Sequence, residues 1–119
     1  MKSLAATLAL LALAAPACKA SREGGPWAGI DRYEAGNAAD DIVTKEVAKR
    51  SSPLYGKELA VADIKQGDDP NIKQAAWVIS LENFDHVRSS KCLYLWGSHT
   101  PFITHVRYDI ADCPGGGGT

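Results

Sequence analysis

CLYLWGSHTPFITHVRYDIADC, residues 92–113, is the most strongly patterned segment of the chain. Its second half alternates between two sets of residues, one of them largely polar, which is typical of a strand with one buried face. In its first half, Leu93 and Leu95 alternate with Cys92, Tyr94 and Trp96. Between the halves, Gly97, Ser98 and Pro101 are residue types that favour a reversal of the chain. The segment therefore predicts a long β-hairpin with its turn near Pro101 and Phe102.

The second half of this hairpin has the clearer alternation. One set of alternate residues is expected to face the core, namely Phe102, Thr104, Val106, Tyr108 and Ile110. The residues between them, among them Arg107 and Asp109, are expected to face solvent.

A cysteine lies at each end of the hairpin. With the turn near Pro101 and Phe102, antiparallel pairing places Cys92 opposite Cys113, on the side predicted to face solvent. Paired positions on neighbouring strands come within reach of disulfide geometry. We therefore predict a Cys92–Cys113 disulfide on the solvent face that closes the base of the hairpin.

Residues 1–20, MKSLAATLALLALAAPACKA, predict a secretory signal peptide, because a lysine precedes an apolar run that ends in small residues. Cleavage after Ala17 or after Ala20 fits those small residues, and we favour a mature chain that begins at Ser21. Acylation of Cys18, as in bacterial lipoproteins, is the alternative. The apolar run is shorter than the roughly 20 residues that span a membrane. A secreted, extracellular product without a membrane partner is expected, and an oxidising compartment favours the disulfide.

The composition predicts one domain and no strongly charged partner. Residues 21–113 are enough for one core but not for two. The chain has 13 Lys and Arg against 14 Asp and Glu, a net charge of −1, with no block of like charge. This balance does not favour binding to nucleic acid or to an anionic membrane. The tail, residues 114–119, reads PGGGGT and is expected to stay outside the fold as a flexible segment.

An arm and a helix are predicted before the strands. Residues 21–30 predict an extended arm with a hinge at Gly24 and Gly25, and with Trp27 packed on the domain.

The predicted helix has Asn37 as its N-cap. An earlier start, between Asp31 and Gly36, stays open, because a glycine inside a helix costs about 1 kcal/mol relative to alanine. Pro53 marks the end, and a length of roughly 14 to 20 residues is expected. The apolar stripe of this helix consists of Ala39, Ile42, Val43 and Val47.

Residues 59–64 and 75–81 predict two further strands. Between them, QGDDPN at residues 66–71 consists of turn formers and predicts a loop. In the later strand, Trp77, Ile79 and Leu81 are expected to share one face. One helix followed by strands predicts an α+β fold, in which a four- to five-stranded antiparallel sheet wraps the helix.

This layout resembles that of the cystatins, secreted inhibitors of papain-like cysteine proteases that pack one helix against an antiparallel sheet. The resemblance covers the whole predicted domain, residues 21–113. Gly24 and Gly25 stand where secreted cystatins have a pair of glycines. Gln66 stands where the family's first hairpin motif, Gln-x-Val-x-Gly, begins.

The final hairpin carries the most specific part of the resemblance. Cystatins have a Pro-Trp pair at its tip and a disulfide that closes it, and Pro101 with Phe102 stand between the two cysteines here. The chain departs from the family in three respects. Gly67 and the residues after it, GDDPN, replace the valine and later glycine of the first motif. The tip aromatic is Phe rather than Trp, and the family's other disulfide has no cysteines here.

The resemblance implies a secreted, monomeric inhibitor without a catalytic group, whose partners are papain-like cysteine proteases. It would block the active-site cleft with the arm and two hairpin loops, and no cofactor is implied. The implied protease-binding residues are Gly24, Gly25, Gln66, Gly67, Pro101 and Phe102. A non-inhibitory binding protein of cystatin fold, like the cathelicidin pro-domains, is the alternative.

An enzyme is a third hypothesis, which the sequence does not favour. His86, His99 and His105 are too scattered for a metal signature and are expected to be exposed hairpin residues. Both cysteines that follow the predicted signal peptide are assigned to the disulfide, so no Cys/His pair remains. We expect neither a metal site nor a catalytic residue.

Overall fold

The computed structural model describes residues 26–115. Helix α1 packs on one face of a single antiparallel sheet, whose strand order is β1-β2-β3-β4. The elements are α1 Arg32–Glu46, β1 Ala60–Asp68, β2 Ala75–Glu82, β3 Lys91–His99 and β4 Thr104–Asp112. This confirms the predicted α+β class, in a layout consistent with a cystatin-like fold. The predicted signal peptide and residues 116–119 of the predicted tail lie outside the described residues.

Helix α1 begins earlier than its predicted cap. Asp31 is the N-cap: its carboxylate accepts a hydrogen bond from Glu34 N at 2.8 Å, and the Glu34 side chain accepts one from Asp31 N at 3.0 Å. This capping box satisfies two backbone N–H groups that a helix start leaves unpaired. The prediction of Asn37 as N-cap is therefore wrong, because Asn37 lies inside the helix, and the earlier start that the sequence left open is the one observed. Its 15 residues fall within the expected length, but the helix ends well before Pro53.

The core lies between α1 and the central strands. Trp77 Nε1 donates a hydrogen bond to Ile30 O at 2.8 Å, which ties the start of the helix to β2. The predicted common face of β2 is confirmed, since its alternate residues enter this core. Full burial of each large apolar side chain contributes roughly 1.5–3 kcal/mol. The buried core residues include Ala35, Ala39, Ile42, Val43, Trp77, Ile79, Leu81, Leu93 and Leu95.

The opposite face of the sheet carries a smaller cluster. Ala76 and Val78 of β2 pack there with Cys92 and Tyr94 of β3. Because the two central strands are covered on both faces, each has four consecutive buried residues. The edge strands β1 and β4 have no such run.

One hydrogen bond joins the end of α1 to β4. The Tyr108 hydroxyl donates to Glu46 Oε2 at 2.7 Å, and this bond, with desolvation, raises the pKa of Tyr108 to about 12. The Glu46 side chain is buried. The pKa of Glu46 is lowered, chiefly by a hydrogen bond from Ser52. Burial acts in the opposite direction, and interactions with Tyr108 and Lys49 lower the pKa further. Within residues 26–115, no helix is long and apolar enough to cross a membrane.

Candidate functional site

The tip of the β3–β4 hairpin is a turn of residues 100–103. Thr100 N donates to Ile103 O at 2.8 Å, and Ile103 N donates to Thr100 Oγ1 at 3.1 Å. Pro101 and Phe102 occupy the two central positions, as the sequence predicted. The threonine side chain thus takes the place of a backbone acceptor, and proline restricts the backbone at the first central residue.

The apolar side chains at this tip are not packed in the protein. Phe102 is 93% exposed and Ile103 is 58% exposed. The first five residues of β4, from Thr104 to Tyr108, are exposed as well. The prediction of one buried face along β4 is therefore wrong for most of the strand, and only Ile110 packs on the core. The reason is tertiary: the helix packs mainly on the other three strands and reaches β4 through the Tyr108–Glu46 bond.

The predicted first-loop residues lie in a strand. Gln66, Gly67 and Asp68 belong to β1 and pair with Trp77, Ala76 and Ala75 of β2. The prediction of a loop over residues 66–71 is therefore wrong in its first half. A Cβ atom on Gly67 would lie 2.6 Å from Val78 Cγ2. The glycine therefore allows β1 to pack closely against the Val78 side chain of β2, and it does not form a turn.

The connection between β1 and β2, residues 69–74, is folded onto the sheet. Asp69 is buried, and its Oδ1 accepts hydrogen bonds from Asn71 N at 2.7 Å and Ile72 N at 3.2 Å. Asn71 Nδ2 donates to Asp109 Oδ2 on β4 at 2.6 Å. Because β4 is three positions away from β1 in the sheet, this bond requires the loop to lie across the face opposite the helix. The loop does not extend the sheet as a projecting tip.

The two acids predicted at the first tip have different environments. Asp68 is exposed at the end of β1, whereas Asp69 is buried. Asp69 Oδ2 has no hydrogen-bond partner among the described residues. Desolvation, followed by the negative charges of Asp69, Asp112 and Asp109, raises the pKa of Tyr94 on the same face.

The disulfide between Cys92 and Cys113 is present, with a Cα–Cα distance of 4.9 Å. Its predicted position needs correction in two respects. Cys92 is paired with Ala111, so Cys113 lies diagonally beyond it and donates its N–H to Ser90 O at 2.9 Å. Cys92 is also fully buried in the smaller cluster, so the bond is not on an open solvent face. The bond nevertheless closes the base of the hairpin whose tip carries Phe102.

The described part of the N-terminal segment forms a tight turn, not an extended arm. Trp27 and Ile30 exchange backbone hydrogen bonds of 2.7 and 3.0 Å, and Gly97 N donates to Ala28 O at 2.8 Å. Trp27 is half-buried against the core and its Nε1 donates to Ala76 O at 3.2 Å, so its predicted packing is confirmed. Gly24 and Gly25 lie outside the described residues. The turn nonetheless places the start of the described chain beside β3 of the second hairpin.

The three histidines are exposed, as predicted, and do not lie together. His86 contacts Glu82 Oε2 at 3.0 Å, and His99 contacts Thr104 Oγ1 at 3.0 Å. His105 is an exposed residue of β4. In the part of the chain from 26 to 115, no three His, Cys, Asp or Glu side chains form a group that could hold a metal ion.

Two features of the site were not predicted. The Asn71–Asp109 bond joins residues 38 positions apart, and the Tyr108–Glu46 bond joins residues 62 positions apart. No local pattern in the sequence marks either pair. By contrast, the Asp31 and Glu34 spacing is a recognised helix-start signal that could have identified the N-cap.

Comparison with protein-family models finds no match for this chain. No curated protein and no solved structure matches it either. The resemblance to cystatins therefore rests on the residues quoted above and on the layout of the fold.

Proposed function

We propose that this protein is a secreted, non-enzymatic inhibitor of papain-like cysteine proteases, a divergent relative of the cystatins. One copy of the chain inserts the tip of its β3–β4 hairpin into the active-site cleft and excludes substrate. The signal-like N-terminal sequence supports secretion, and a disulfide is typical of proteins in oxidising compartments.

The exposed Phe102 is the observation that carries this proposal. A phenylalanine that is 93% exposed at a turn can bury most of its surface only against another molecule. Burial of such a side chain contributes roughly 1.5–3 kcal/mol. Thr100, Pro101 and the disulfide at the base hold the tip in one shape, so little conformational entropy is lost on binding.

The other expected contacts contribute less in this proposal. Gln66 and Gly67 are part of β1, and the loop that follows them lies on the sheet. Ala28 O accepts a hydrogen bond from Gly97 N of β3, and Gly24 and Gly25 keep a supporting role in this proposal because of their place in the sequence. The inhibitor thus depends mainly on one hairpin and is expected to be more selective and weaker than one with two projecting loops.

A non-inhibitory binding protein is the second candidate. The Asn71–Asp109 hydrogen bond favours it, because a loop held on the sheet cannot enter a cleft beside the second tip without breaking that bond. In this case Phe102 would anchor a different protein partner.

The test is a titration of papain and two cathepsins with the purified protein, followed by measurement of residual protease activity. Phe102→Ala should weaken inhibition at least ten-fold, equivalent to about 1.4 kcal/mol. Phe84→Ala is the matched control, since Phe84 is also largely exposed but lies in the β2–β3 connection at the opposite end of the sheet. Asp68→Val should leave inhibition unchanged or strengthen it. If the parent protein does not inhibit any of these proteases at micromolar concentration, the inhibitor proposal fails and the second candidate replaces it.

A further inference from the structure

Among the residues that the structure describes, strand β4 is an open edge of the sheet. Within residues 26–115 it pairs on one side only, with β3, and its nine residues are in continuous register. Proteins commonly protect such edges with a bulge, a proline or a lysine. The opposite edge, β1, has both a register shift between Val61 and Asp63 and an exposed Lys65, whereas β4 has none of these devices.

The hydrogen-bonding pattern shows which backbone groups of β4 point outward. Backbone hydrogen bonds close both ends of the hairpin within the same chain: Thr100 N donates to Ile103 O, and Cys113 N donates to Ser90 O. Because bonded and non-bonded pairs alternate in an antiparallel ladder, the odd-numbered residues between them bond to β3. The even-numbered residues therefore direct their N–H and C=O groups to the free edge, namely Thr104, Val106, Tyr108, Ile110 and Asp112.

We propose that a second copy of this chain pairs with this edge, antiparallel, around a two-fold axis at Tyr108. Tyr108 is the midpoint of β4, so this register pairs the strand along its whole length. It places Val106 opposite Ile110 of the second copy and sets the outward-facing backbone groups of the two strands against each other. Two of these groups must exchange a partner within the protein: Ile110 N donates to Asp109 Oδ1 at 3.0 Å, and Asp112 O accepts from the Tyr94 hydroxyl at 2.6 Å. The two four-stranded sheets would then form one continuous eight-stranded sheet.

Charge selects this register over its neighbours. With the axis at Tyr108, Arg107 of each copy lies opposite Asp109 of the other, and opposite charges at such positions are favourable. The Asp109 carboxylate also accepts hydrogen bonds from Asn71 Nδ2 and Ile110 N, so the ion pair would form beside these bonds. An axis at Arg107 or at Asp109 would place like charges directly opposite one another. Arg107 is exposed and has no ion pair within the described residues, so it is available for this contact.

The fold leaves room for this arrangement. Helix α1 packs on β1, β2 and β3, and residues 104–108 of β4 are exposed. A nine-residue strand is much smaller than the roughly 20–30 residues a side of a standard interface, so the dimer is expected to be weak and concentration-dependent. The tip residue Phe102 lies beyond the paired strand, and the proposal does not rest on protease binding.

Sedimentation equilibrium tests the proposal by measuring self-association at protein concentrations up to millimolar. The sample is the purified protein expressed from the full sequence, with its disulfide intact. Arg107→Asp and Asp109→Arg should each weaken self-association about ten-fold or more, since each puts like charges at both paired positions. Asp109→Arg also removes the acceptor of Asn71 Nδ2, so the recovery in a mixture, and not the loss in this variant alone, carries the test. An equimolar mixture of the two variants should associate about as well as the parent, because each variant then meets opposite charge in the other. Val106→Pro should abolish association, since it removes an outward N–H and leaves the bonds to β3.

Lys65→Asp is the control, because it changes the same kind of charge on the other edge strand and should leave association unchanged. Circular dichroism of each variant confirms that it is folded. A parent protein that stays monomeric at millimolar concentration overturns the proposal. A mixture of the two charge variants that associates no better than either alone overturns it equally, since only the register centred on Tyr108 predicts the recovery.

Discussion

The β1–β2 and β3–β4 hairpins direct their turns to the same end of the sheet, but they use that end in opposite ways. Residues 69–74 of the first are folded onto the sheet by bonds of Asp69 and Asn71. The tip of the second, residues 100–103, projects with Phe102 in solvent. The residue types explain the difference. Asp and Asn side chains bond to nearby backbone and polar groups, whereas a phenylalanine side chain has no polar group with which to make such bonds.

This contrast changes what the resemblance to cystatins implies. Two projecting loops would share the contact with a protease cleft, but here only one loop projects. The folded loop is stabilised by contacts inside the protein, and the projecting tip is stabilised by its own turn and by a distant disulfide. Substitutions in the first hairpin should therefore change stability, whereas substitutions at the second tip should change binding.

The largest effect is expected from the disulfide that closes the second hairpin. Replacement of Cys92 and Cys113 by Ser should lower the free energy of unfolding by about 2–5 kcal/mol, because a cross-link between distant residues restricts the unfolded chain. Denaturant unfolding of parent and variant, each with and without reductant, measures it. The parent should lose stability in reductant and the variant should not. Equal stability of the oxidised parent and the variant would contradict this prediction.

A smaller loss is expected where the first hairpin packs across the sheet. Gly67→Ala should destabilise the protein by about 1–3 kcal/mol, since its Cβ would overlap the buried Val78 side chain. The double variant Gly67→Ala/Val78→Ala should be more stable than the sum of the single effects predicts, which a double-mutant cycle of thermal unfolding measures. Additive effects would show that Val78 is not the obstacle.

The folded loop should depend on Asp69. Asp69→Ala should cost about 1–2 kcal/mol, because two backbone N–H groups lose their acceptor. Asp69→Asn keeps an oxygen for these bonds and should cost less. Asp68→Ala changes an exposed neighbour and should have almost no effect on chemical denaturation. A loss as large in Asp68→Ala as in Asp69→Ala would place the anchor of the loop elsewhere.

The smallest effect concerns the bond that holds the second hairpin to the helix. The folded pKa of Tyr108 is raised from 10 to about 12, so its stabilising contribution is full below pH 10 and is lost as the pH rises through about 12. Tyr108→Phe should therefore show a smaller loss of stability between these pH values than the parent. Tyr33→Phe is the control, since Tyr33 is largely exposed. Thermal unfolding between pH 10 and about 12 should give the same dependence of stability on pH for the control and the parent. The same dependence in Tyr108→Phe would refute the prediction.

Local patterns were sufficient for much of the fold. The alternation around Trp77 predicted a strand and its buried face, and the residues near Pro101 predicted the turn. The N-cap was also within reach, because Asp31 and Glu34 have capping-box spacing. The choice of Asn37 came from the cost assigned to Gly36; in the structure this position lies close to β1, since an added Cβ would be 3.3 Å from Ile64 Cδ1.

Patterns alone failed along β4 and around residues 66–71. Alternation on β4 predicts two different faces but not whether anything covers one of them. The turn formers after Gln66 predict a reversal but not the residue at which pairing stops, and β1 continues to Asp68.

By itself the sequence determined the α+β class, the central strands, the position of the Pro101–Phe102 turn and the Cys92–Cys113 bond, because these depend on residue type, period and spacing. The tertiary structure alone decided that the first loop lies on the sheet, that Phe102 is exposed and that, in the described part of the chain, β4 pairs with β3 only. The physical reason is that each of these depends on what lies opposite a residue in space. Such neighbours are brought together by the packing of α1 and the pairing of four strands, not by positions along the chain.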